Sequence, residues 1–166
     1  MTESFELKPI HEEAIQAALA KAEHYRLLNE PGQAESICRD ILRIQPDHER
    51  ALVTIILALT DQFANAHGSP GLRTAREYTD KLSDEYQRLY YTGLIHEREA
   101  RATLSRGMAR SFAYDGFREA MKFYEEAESV RPSGNDDAIL RWNSCVRTIR
   151  RSDLQPRADE PELLLE

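Results

Sequence analysis

Apolar residues recur at helical spacing along almost the whole chain, and prolines and glycines cut that pattern into segments. Residues 1–10, with Pro9 near their end, read as an irregular arm. From His11 to Asn29, Ala14, Ala18, Ala22 and Tyr25 with Ile15, Leu19 and Leu28 make an apolar stripe, and Glu30-Pro31-Gly32 breaks it. A second helix runs from Pro31 or Gln33 to Ile44, on Ala34, Ile37, Cys38, Ile41 and Leu42, and stops ahead of Pro46 because the residue before proline avoids the helical region. With Asp47 as its cap, a third runs from His48 to about Ala66; Leu52 to Leu59 is apolar all round, so it is central or faces a partner. After the loop signal His67–Gly71, a fourth covers Leu72 to about Leu82.

Ser83 or Asp84 then caps a proline-free stretch from Glu85 to about Phe112, with Tyr86, Leu89, Tyr90, Gly93 and Leu94 continued by Ala100, Leu104, Met108 and Phe112. That length exceeds the usual globular helix and predicts a kink near Gly93 or Gly107. A turn at Ala113–Gly116 leads to a helix over Phe117–Val130, stopped by Arg131-Pro132, and a last helix over Asp136–Arg150. The expectation is an all-α domain over 11–151 with about seven helices, followed by a flexible acidic tail over 152–166.

The segments repeat. Phe117, Ala120, Tyr124, Ala127 and Pro132 are separated by three, four, three and five residues. Pro31, Ala34, Cys38, Ile41 and Pro46 reproduce those separations, and Leu72, Ala75, Thr79, Leu82 and Gln87 do so without the proline. Packing explains the order: alanines sit where two antiparallel helices touch closely, larger residues fill the groove between pairs, and proline ends the second helix. Over roughly residues 11–150 the chain thereby resembles a tetratricopeptide-repeat protein, most closely at Phe117–Pro132 and least at Leu72–Leu82. The resemblance implies a right-handed stack of antiparallel helix pairs, an α-solenoid, whose concave groove binds a peptide or helix of another protein. The chain departs from the family's period of about 34 residues: Ala34 to Ala75 is 41 residues and Ala75 to Ala120 is 45, which places extra length in the first helix of a pair or in a loop after it. The family's Trp, Leu-Gly and Tyr positions in those first helices are also poorly kept. Ala138, Trp142, Cys145 and Ile149 on one face of the last helix suit a capping helix that covers the end of such a stack. A plain irregular helical bundle is the alternative.

Composition narrows the partner. A net charge of −7 and a pI near 5.3 disfavour a nucleic-acid partner, which needs a basic surface. The longest apolar run, Ile55–Leu59, is too short for a bilayer, and the start carries no signal-like segment, so a cytoplasmic protein without a membrane partner is expected. Cys38 and Cys145, each inside a helical pattern, read as reduced core thiols. His11, His24, His48, His67 and His96 are scattered without metal-ligand spacing, and neither a phosphate loop nor a nucleophile motif is present. The sequence therefore asks for no cofactor or metal and points away from an enzyme.

Candidate contact residues lie late in the chain. Around Asn135–Asn143, the plain reading makes Asn135 a cap, puts Asp136 and Asp137 at the positive helix end and pairs Asp137 with Arg141. The functional reading projects Arg141, Asn143 and Arg147 into a groove, where arginine forks meet a partner's carboxylates. Tetratricopeptide modules of the carboxylate-clamp kind work this way, although their lysine and asparagine set is not recognisable here. Arg98, Arg101, Arg106 and Arg110, with Glu97 and Glu99 between them, read as a solvated face; the alternative sets the arginines, Arg101 foremost, on the concave side, where they bind an acidic segment. Tyr86, Tyr90 and Tyr91 read as packing. Leu163, Leu164 and Leu165 follow an acidic leash and suggest docking into the chain's own groove, a neighbouring copy or another protein. The functional expectation is a non-catalytic adaptor, scaffold or assembly factor; the alternatives are a self-associating homo-oligomer using the Leu52–Leu59 helix and the tail, and an accessory subunit of an enzyme complex.

Overall fold

In the computed structural model, residues 3–65 and 70–158 are described, and among them the fold is all-α. The seven helices are α1 Ile15–Leu27, α2 Pro31–Ile44, α3 Glu49–Asp61, α4 Pro70–Asp80, α5 Glu85–Ser105, α6 Arg110–Ser129 and α7 Asp137–Arg151. Short 3-10 turns at Glu12–Ala14 and Phe63–Asn65 precede α1 and follow α3.

Local chemistry sets most of these ends. Asn29 takes the left-handed conformation (φ 60°) after α1, and the Glu30 amide donates back to the Tyr25 carbonyl at 2.8 Å, closing the last turn. Pro31 then opens α2 at a position where no amide hydrogen is needed. The cap of α3 is His48, whose Nδ1 accepts from the Ala51 amide at 3.2 Å, in place of the expected Asp47. Asp84 caps α5, its Oδ2 accepting from the Gln87 amide at 3.1 Å. Before α7, the Asn135 Oδ1 accepts from the Asp137 amide at 3.0 Å and from the Tyr86 hydroxyl at 3.3 Å.

The expected long helix over 85–112 is two helices, and the expected turn over 113–116 does not exist. The break lies at Arg106–Ala109, where Gly107 adopts φ 69° and the Met108 amide donates to the Thr103 carbonyl at 3.2 Å. Chain direction reverses there, so Met108 and Phe112, which carry the apolar spacing onward, end 50% and 58% exposed. Gly116 is helical and serves packing: a β-carbon on it would come within 2.9 Å of the Ala100 Cβ. Helix α5 runs unbroken through Gly93. That glycine admits the Tyr124 ring, whose Cε1 would lie 2.8 Å from an added β-carbon.

Each helix packs chiefly on its sequence neighbours, with α5 against α6 the most extensive pairing, and α1 and α5 both touch α3. The repeated positions fall on or just past α2, α4 and α6. Ala34, Ala75 and Ala120 are fully buried, and so are Cys38, Thr79 and Tyr124 one turn on, then Ile41, Leu82 and Ala127. One apolar core joins α1–α4 with Ile95 and Ala102 of α5. A second joins Tyr86 and Ala100 of α5 with α6, α7 and Leu154. Helix α3 is central as its all-round apolar sequence requires, burying Ala51, Leu52, Ile55, Ile56, Ala58 and Leu59. The packed body continues past α7: Asp153 is left-handed (φ 48°), the Leu154 amide donates to the Ile149 carbonyl at 3.0 Å, and the Leu154 side chain is buried. Among the described residues, no helix is long and apolar enough to cross a membrane.

Candidate binding groove

A glutamate in the middle of α5 organises the polar side of the molecule. Glu97 is 0% exposed, and a buried carboxylate is stable only when its oxygens are paired and hydrogen-bonded. Arg141 of α7 donates to its Oε2 at 3.0 Å and Arg101, one turn along α5, at 3.4 Å. The Tyr124 hydroxyl of α6 and the Cys145 thiol of α7 donate to Oε1 at 3.4 and 3.3 Å. Arg101 also reaches α7 directly, donating to the Thr148 hydroxyl at 2.9 Å and the Ser144 hydroxyl at 3.0 Å, with its guanidinium over the Phe117 ring. One carboxylate thus ties three helices together.

The protonation states follow. Burial, then the Glu97 charge, holds the Tyr124 hydroxyl far above the phenol range and the Cys145 thiol well above the usual thiol value. Burial works to lower the Arg141 value, but Glu97 and Tyr90 outweigh it and leave it raised. The Cys38 thiol, in the other core, is pushed up to about 12 by burial. Both thiols are therefore protonated, inert core groups.

A second cluster of the same kind lies alongside. Asp61, the last residue of α3, accepts from Arg26 of α1 at 2.8 Å and from Arg98 of α5. Arg98 and Arg101 are one helical turn apart, so the clusters are neighbours on α5. Together they line a groove of about 570 Å³ with Asn29, Thr60, Ala64, Ala102 and Ser105. Four arginines face two carboxylates there, which leaves two positive charges in excess on a chain whose net charge is −7. An arginine carries five N–H donors in a fork. Those not spent on Asp61, Glu97, Ser144 or Thr148 can donate to an incoming carboxylate or other planar anion.

The structure brings together Arg101 and Arg141 of the expected contact residues. Asn143 is half-buried and Arg147 exposed, and neither lines the groove. Arg141 pairs with Glu97 and not with Asp137, because α7 turns that side inward onto α5. The expected solvated face is corrected for Arg98 and Arg101, both half-buried ion-pair partners; Arg106 is exposed, although it bonds the Phe63 carbonyl and sits 3.7 Å from Glu99. Arg110 is exposed as that reading required. The tyrosines are packing groups: Tyr86 stacks on Tyr90 at 5.8 Å, and Tyr90 meets Tyr91 at 5.1 Å and Tyr124 at 5.9 Å. Leu163, Leu164 and Leu165 lie outside the described residues.

Sequence reasoning missed Arg26 and Asp61, and it placed Glu97 on a solvated face, whereas Glu97 is fully buried. Two signals were available. Glu97 continues the spacing from Gly93 and Leu94 to Arg101 and Leu104, placing a carboxylate on a core stripe with an arginine four residues on. Asp61 ends an apolar helix at its negative pole, an unfavourable place for an acid without cationic partners. Among the described residues, no three His, Cys, Asp or Glu side chains gather as metal ligands would. No protein-family model, curated protein or solved structure matches the chain.

Proposed function

We propose that the chain is a non-catalytic protein-interaction module, an adaptor, scaffold or assembly factor, that holds a peptide or helix of another protein in the groove built on Asp61 and Glu97. The observation that carries this reading is a division of labour between alternate helices. The groove takes its lining from α1, α3 and the turn after it, α5 and α7, whereas the repeated positions of α2, α4 and α6 are sunk in the core. A tetratricopeptide-like stack of three helix pairs, right-handed and closed by α7, has this division, because one helix of every pair lies on the inner face and the other packs behind it. The polar groups support holding over turning over: arginines clamped by carboxylates present fixed donors to an anion, and the thiol that meets a carboxylate there, Cys145 on Glu97, is fully buried and held protonated.

The test is affinity capture from the cells that make the protein, with the unaltered chain and with Arg98→Glu as bait. Arg98 lines the groove and is half-buried, so reversing its charge alters the groove more than the core. A partner recovered by the unaltered chain is expected to fall at least about tenfold with the variant, the usual effect of losing one charge-assisted contact. Recovery of no protein above background, or recovery indifferent to Arg98→Glu, overturns the reading.

A further inference from the structure

We infer that this groove has a resident competitor, the chain's own acidic segment Asp159–Glu166, which occupies it until a partner displaces it. The inference rests on the groove reading above and adds its regulation. Three observations carry it.

The first is charge. Residues 159–166 read DEPELLLE, with four carboxylates and no basic residue, whereas the groove holds two positive charges in excess. The segment's negative charge is thus complementary to the positive excess of the groove.

The second is where the segment is launched. Arg101 is bonded to Ser144 and Thr148 on α7, and the chain leaving α7 is tied back to the same helix by the bond from the Leu154 amide to the Ile149 carbonyl. Burial of the Leu154 side chain fixes that departure point beside the second core, whose Phe117 ring the Arg101 guanidinium overlies.

The third is reach. Extended chain covers roughly 3.3 Å per residue, so residues 155–158 span about 13 Å and eight more add about 26 Å. From Arg151 back to Arg141 along α7 is about 15 Å. Asp159, Glu160 and Glu162 can therefore meet the Arg101–Arg141 end of the groove and Arg98, one turn further along α5, without strain. Each exposed contact of this kind is weak alone, but a short tether presents the segment at about millimolar effective concentration, which is enough to favour occupancy. A partner that displaces it needs a denser or better-placed set of carboxylates.

The single tryptophan provides the readout. Trp142 lies on α7 next to Arg141, while Cys38 and Cys145 are fully buried, so a thiol introduced by Leu164→Cys in the full chain is the one that takes a fluorescent acceptor. Energy transfer from Trp142 to that acceptor is expected to be high at low salt. It should fall about two-fold or more on Asp159→Asn/Glu160→Gln/Glu162→Gln, on Arg98→Gln, and in 1 M salt, where the screening length shrinks to about 3 Å. The triple variant changes no residue of either core, so a fall in transfer without a change in helical circular dichroism is not unfolding. Transfer that ignores all three changes overturns the proposal. So does transfer that responds to the segment but not to Arg98→Gln, because the segment then sits elsewhere, and so does transfer that fades on dilution, because it then arises between copies. Capture of a partner that still depends on Arg98 beside charge-indifferent transfer removes the competitor and leaves the groove reading standing.

Discussion

At the scale of single residues, the Glu97 cluster is asymmetric, and the asymmetry is measurable. Glu97 has no access to water, while Arg101 and Arg141 keep about a third of their side chains exposed. Stripping the arginines strands a buried charge, which typically costs about 3–5 kcal/mol. Stripping the glutamate lets two arginines swing toward solvent. Arg101→Met/Arg141→Met is therefore expected to lose more stability in urea unfolding than Glu97→Gln, whose amide oxygen still accepts from Tyr124 and Cys145. An equal or reversed order would show that the arginines, not the carboxylate, are the strained partners.

At the scale of elements, glycines divide into those that shape the chain and those that let helices approach. Gly107→Ala forces a side chain into a left-handed position and should cost about 1–2 kcal/mol. Gly93→Ala gains about 1 kcal/mol of helix propensity but drives a β-carbon into Tyr124 and toward the Ala120 carbonyl at 3.2 Å. Overpacking of that kind costs about 1–3 kcal/mol, so a net loss is expected, with Tyr124 shifted off Glu97. Thermal unfolding of the two variants checks both signs. The same residues explain what the sequence could and could not disclose about elements. Helix number followed from apolar spacing and from Pro31, Pro46 and Pro132, which act locally. The α5–α6 boundary was misplaced because Gly107 and Gly116 look alike in sequence. Only the approach of Ala100 identifies Gly116 as a packing glycine, and that is a contact between helices. For the same reason Arg141 was visible as a groove candidate, while its counter-charge, 44 residues upstream, was not.

At the scale of the molecule, α5 belongs to both cores and couples them. It gives Ile95 and Ala102 to the first and Tyr86 and Ala100 to the second, and it carries Glu97 between α6 and α7. Stacks of helix pairs can unfold piecemeal, since each pair contacts only its neighbours. A shared central helix opposes that. Urea transitions followed by Trp142 fluorescence, which reports the second core, and by helical circular dichroism, which reports the whole chain, should coincide within error. A Trp142 transition at lower urea would mean that α6 and α7 detach before α1–α4 melt.

The pairing of two arginines with each of Asp61 and Glu97 also bears on time. On the proposed reading, an arriving carboxylate finds donors whose strongest acceptor is already in place and stays in place. It gains only the unspent part of each fork, and its departure uncovers no unpaired charge. Residence is governed by dissociation, so occupants of such a groove should exchange quickly, as suits a component that hands partners on and not one that locks them into a permanent assembly.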